Sequence, residues 1–82
     1  MERTPDKSEY DAAIEDYTKV IELEPEHAEA YGNRGLAWVR LGVYDKAFSD
    51  YDESIRLNPE CADAYSNRGA AYNNLGEYDK AI

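Results

Sequence analysis

YDKAFSDYDESIRLNPECADAYSNRGAAYNNLGE, residues 44–77, decides the fold: set beneath YDAAIEDYTKVIELEPEHAEAYGNRGLAWVRLGV at 10–43, it is identical at 18 of 34 positions. A third copy opens at Tyr78 with YDKAI, four of whose five residues match Tyr44 to Ala47. A fixed period of this length marks a repeat architecture, in which each unit buries its apolar face by stacking on its neighbours.

Within the period, apolar and small residues recur at helical spacing, as in Tyr31, Gly35, Trp38 and Leu41 and then Tyr44, Ala47, Phe48, Tyr51 and Ile55. The pattern predicts helices over 10–23, 28–41, 44–57 and 62–75, with a helical stub at 78–82. Gly42 and Gly76 stand where a helix C-terminus takes a residue tolerant of positive φ. Asp45 and Asp79 follow in the first turn of the next helix, where a carboxylate complements the helix dipole. Pro25 and Pro59 close the second helix of each period, since the residue before a proline is pushed out of the α region. Thr4 with Pro5 is the expected cap of the first helix, in preference to Ser8 with Asp11. Gly35 opposite Ala47 is the expected close approach of two antiparallel helices, and a glycine inside a helix at both Gly35 and Gly69 points to a packing need.

The chain has 82 residues, 43% of them hydrophobic and 33% charged, which fits one small ordered domain rather than a disordered tail. It contains no apolar run near the roughly 20 residues that cross a bilayer, and MERTPDKSE lacks the apolar core of a leader peptide. A cytoplasmic location and no membrane contact are expected. One cysteine and one histidine supply neither an internal disulfide nor a closed zinc site. The net charge of -9, from 9 basic and 18 acidic residues, speaks against nucleic acid as a partner.

Candidate chemistry is sparse. His27 and Cys61 occupy the same place in successive periods but have no third or fourth metal ligand, and Cys61 lies between Glu60 and Asp63, which discourage a thiolate. Both read as ordinary loop residues. Adjacent carboxylates such as Glu15 with Asp16 or Asp52 with Glu53 point about 100° apart on a helix and cannot flank one substrate bond. The glycines stand singly, without the spacing of a phosphate-binding loop. No enzyme activity and no cofactor are expected.

The period, the small residues Gly35 and Ala47, the aromatics Tyr31, Trp38, Tyr44 and Tyr51, and Pro59 together make the chain resemble a tetratricopeptide repeat protein. Tyr65, Gly69, Tyr72, Gly76 and Tyr78 repeat the pattern, so the resemblance covers residues 10–82. It implies an all-α fold, antiparallel helix-turn-helix units stacked as a right-handed solenoid, here about two repeats cut out of phase from a longer array. Residues 1–9 are then an extension, 10–27 the second helix of a truncated repeat, 28–61 a complete repeat, and 62–82 a first helix with a stub of a second.

One departure stands out: the family's leucine before the glycine is Arg34 and Arg68 here. A part-buried guanidinium needs a partner, and the family's stacking suggests Arg34 with Asp16 and Arg68 with Asp50 as ties between successive repeats, the alternative being that the two arginines reach a ligand.

The resemblance also implies a protein-interaction scaffold that binds a peptide or partner protein in a concave groove lined by the first helices. The groove residues would be Glu29, Gly32, Asn33, Leu36, Val39 and Arg40 from helix 28–41, with Asp63, Ser66, Asn67, Ala70, Asn73 and Asn74 from helix 62–75. Most acidic residues fall on the second helices, so the groove reads as near neutral, with asparagine amides for a peptide backbone and Leu36 and Val39 for a small apolar side chain. The carboxylate clamp of one family branch is not expected, because Glu29, Leu36, Asp63 and Ala70 stand where it needs asparagine or cations. The alternative function is self-association: Tyr10, Ala13, Ile14 and Tyr17 at one end and Tyr65, Gly69, Tyr72 and Leu75 at the other are the two halves of one repeat, suited to a head-to-tail homo-oligomer.

Overall fold

The computed structural model describes the backbone of residues 7–81 and the side chains of residues 7–76. Four helices follow one another: α1 Lys7–Leu23, α2 Ala28–Arg40, α3 Tyr44–Leu57 and α4 Ala62–Ala81. Each packs against the next, α4 also reaches back to α2, and α1 touches α2 alone among the described elements. The described residues contain no strand, so the molecule is an all-α solenoid of helix-turn-helix units.

The α2–α3 turn forms as its sequence requires. Gly42 adopts φ 77°, the left-handed conformation that a Cβ disfavours. Val43 N–H donates to the Trp38 carbonyl at 2.9 Å, satisfying an end carbonyl of α2. After α3, Asn58 is extended at φ -141°, as a residue preceding proline must be, and its side chain accepts from Glu60 N–H at 3.2 Å.

The core lies around α3. Ala47 and Tyr51 are fully buried and cluster with Ala71 of α4, while Trp38, Val39, Tyr44 and Phe48 pack around them. Phe48 stacks on Tyr72 with ring centroids 4.1 Å apart. The close approach of α2 to α3 is made by Tyr51, not Ala47: its ring lies 2.8 Å from where a Cβ on Gly35 would sit. Small residues on both elements are therefore used differently from the expectation, Gly35 seating the tyrosine and Ala47 admitting α4.

Two boundaries differ from the periodicity. The first helix begins at Lys7, inside the expected 1–9 extension, so Ser8 lies within it and cannot be its cap; Thr4 lies outside the described residues. The last helix runs on through Gly76 to Ala81 instead of turning there, and the expected stub at 78–82 does not start a separate helix. Gly42 is held in its turn by α3 folding back onto α2. No described helix folds back onto α4, and a glycine in a continuous helix costs only about 1 kcal/mol.

No described helix is long and apolar enough to cross a membrane.

Candidate functional site: the groove between α2 and α4

Helices α2 and α4 occupy equivalent places in successive repeats, and each turns an alanine pair inward: Ala30 with Ala37, and Ala64 with Ala71, all at most 6% exposed. That register turns another face of both helices toward the same depression. Glu29, Gly32 and Asn33 of α2 and Asp63, Ala64 and Asn67 of α4 line a cleft of about 280 Å³, joined by Ala28, Ser54, Asn58 and Cys61. Ser54, fully buried, donates its hydroxyl to the Ala28 carbonyl at 2.8 Å and so fixes α3 against the start of α2.

Five of the twelve expected groove residues, Glu29, Gly32, Asn33, Asp63 and Asn67, thus meet in one cleft. Asn33 also joins Leu36 and Arg40 in a second cleft of about 160 Å³ between α1 and α2, whose other walls are Tyr10, Ala13, Tyr17 and Ala37. Val39 is partly buried against the core cluster and lines neither cleft. Ser66, Ala70, Asn73 and Asn74 are exposed along α4 and line neither cleft. The apolar part of the expected groove is therefore missing from the larger cleft, whose charged lining is Glu29 and Asp63, with no basic residue.

Sequence reasoning missed Ser54, Asn58 and Cys61 as lining residues, because they come from the end of α3 and the proline loop rather than from the first helices. A small hydroxyl at Ser54, where the preceding repeat has Val20, was the available signal. It also missed His27, whose Nδ1 accepts from Ala30 N–H at 3.1 Å and caps α2.

The arginines are structural ties with partners other than those expected. Arg34 gives Nε and Nη2 to the two oxygens of Asp50, each at 2.7 Å, and Nη1 to Thr18 Oγ1 at 3.1 Å. It therefore joins α2 both to α3 and to the preceding α1. The hydrogen bonds that Arg34 donates to Asp50 raise the Arg34 pKa against the opposing effect of burial, so the guanidinium stays charged. Arg68 gives Nη1 to Asp52 at 2.8 Å. Thr18 and Asp52 are 34 residues apart, so the same nitrogen makes the same link between repeats twice, two residues beyond the expected Asp16 and Asp50. Each arginine also lies over a tyrosine of its own helix, Arg34 on Tyr31 at 5.6 Å and Arg68 on Tyr65 at 5.5 Å.

No group of three or more metal-ligating side chains occurs among the described residues. The larger cleft presents the amides of Asn33, Asn58 and Asn67 and the carboxylates of Glu29 and Asp63.

Stacked helix-turn-helix units repeating every 34 residues define a helical-repeat solenoid. The chain matches the TPR repeat family over residues 6–42 and again over 39–76, and it belongs to the tetratricopeptide repeat family. Tetratricopeptide repeats are characteristically non-enzymatic and mediate protein–protein interactions. No curated protein matches the chain.

Proposed function

We propose that this chain is a non-catalytic cytoplasmic scaffold that holds an extended segment of a partner protein in the cleft between α2 and α4. The observation that carries the reading is Asn33 and Asn67, one period apart, lining the same cleft. An asparagine amide both donates and accepts, so two of them in series suit the alternating groups of a peptide backbone. Glu29 and Asp63 on the same walls disfavour an acidic segment, so the preferred partner is neutral to basic.

Peptides selected from a random display library on the 82-residue chain test this. Asn33→Ala with Asn67→Ala is expected to weaken the selected peptides at least about tenfold, the loss of about 1.4 kcal/mol, with the helical circular dichroism unchanged. Selected peptides that bind the double variant as tightly as the parent would place the binding surface elsewhere.

A further inference from the structure

The described basic side chains of α2, α3 and α4 are engaged away from the larger cleft. Arg34 holds Asp50 and Thr18, Arg68 holds Asp52, Arg56 pairs with Glu53 on its own helix, and Lys46 lies 4.7 Å from the centroid of the Trp38 ring. Arg40 lines the smaller cleft beside α1. The two carboxylates of the larger cleft, Glu29 and Asp63, are exposed and make no ion pair or hydrogen bond with the described residues. In a chain of 18 acidic and 9 basic residues, internal pairing draws cations to Asp50, Asp52 and Glu53 of α3 and leaves the cleft negative.

The cleft carboxylates are placed regularly. Glu29 and Asp63 stand one 34-residue period apart, in the first turns of α2 and α4, and each precedes a cleft asparagine, Asn33 or Asn67, by four residues. Residues four apart share one helix face and lie one turn, about 6 Å, apart along the axis. The cleft therefore carries a row of two half-buried amides and, one turn nearer the helix starts, a row of two exposed carboxylates. A segment whose backbone follows the amides has the carboxylates one turn to its side, a span that the long stem of a lysine or arginine crosses with its charge at the tip. A neutral side chain there covers two carboxylates without pairing them, and an acidic one adds a third negative charge. No large apolar side chain of the described residues lines the cleft, so charge rather than a hydrophobic anchor distinguishes one partner side chain from another.

We propose that the segment bound between α2 and α4 presents a lysine or arginine side chain to Glu29 and Asp63 together, and that these two residues set the charge specificity of the cleft. This specificity rests on the peptide-holding reading proposed above and goes further: a basic side chain at one fixed position of the segment is required rather than tolerated.

Peptides selected from a random display library on the 82-residue chain, then synthesised with blocked termini so that only side chains carry charge, test the requirement. The selected sequences are expected to share a lysine or arginine at one position, and its replacement by glutamine should weaken binding at least about fivefold. On a chain carrying Glu29→Gln and Asp63→Asn, two exposed and near-isosteric changes, the basic and glutamine peptides should bind equally, with the helical circular dichroism unchanged. Selected peptides without a shared basic position, or a glutamine replacement that costs as much on the neutralised chain as on the parent, would overturn the charge specificity. If such peptides still lose affinity for Asn33→Ala with Asn67→Ala, the peptide-holding reading stands without it; if they do not, or if the library yields no binder, both fall.

Discussion

Tyr51 joins the densest packing in the molecule to an unmet polar group. It is fully buried, and its hydroxyl has no hydrogen-bond partner among the described residues. Leaving such a group unpaired costs about 1 to 3 kcal/mol, so Tyr51→Phe is expected to raise stability by about 1 kcal/mol in urea unfolding. Burial pushes the phenol from 10.0 up to about 12. Below pH 10 the phenol is neutral in both folded and unfolded chains; between there and about 12 the unfolded chain releases a proton that the folded chain retains. Stability should therefore fall as the pH rises through that window, and the fall should be shallower in Tyr51→Phe. Equal slopes for the two proteins would show that Tyr51 does not cause it.

The two arginines sort by exposure. Arg34 and Asp50 have side chains 19% and 7% exposed, against 31% and 62% for Arg68 and Asp52. Asp50→Ala strands a part-buried guanidinium and should cost about 2 to 3 kcal/mol, whereas Arg68→Ala should cost less than about 1 kcal/mol. Thermal melts of both in dilute solution check the ranking.

At the scale of the element, Gly35 and Gly69 hold equivalent positions in α2 and α4 but answer to different surroundings. An alanine at Gly35 would place its Cβ 2.8 Å from the Tyr51 ring, so Gly35→Ala should destabilise by about 1 to 3 kcal/mol despite better helix propensity. At Gly69 nothing lies within 4 Å of the added methyl, and Gly69→Ala should stabilise the dilute monomer by up to about 1 kcal/mol. Denaturant midpoints moving in the same direction for both would contradict the packing described here.

Over the whole molecule, burial is graded from the centre outward. Helix α3 buries Ala47, Asp50, Tyr51 and Ser54, whereas α1 fully buries none of its residues. In a linear repeat array, stability sums over neighbour contacts, so end elements open at lower free energy than central ones. Backbone amides of α3 should exchange with deuterium slowest and those of α1 and the second half of α4 fastest, at concentrations low enough to prevent association. Uniform protection along the chain would instead make it a single cooperative unit.

The sequence by itself determined the elements whose signal is local or periodic. The 34-residue repeat placed α2 and α3 almost to the residue, and Gly42 and Pro59 marked where they end, because positive φ and the pre-proline restriction act within a few bonds. It also showed that Arg34 and Arg68 needed partners, since a buried charge is costly wherever it falls. Only the tertiary structure decided which partners they found, because side-chain reach depends on how two helices are rotated against each other. The same rotation decided that Tyr51 rather than Ala47 seats on Gly35 and that Val39 joins the core while Asn33 and Asn67 share a cleft. At Gly76 the local signal matched that at Gly42, yet the helix continues: a turn signal is realised where a following helix packs back to hold it, and that contact is long-range.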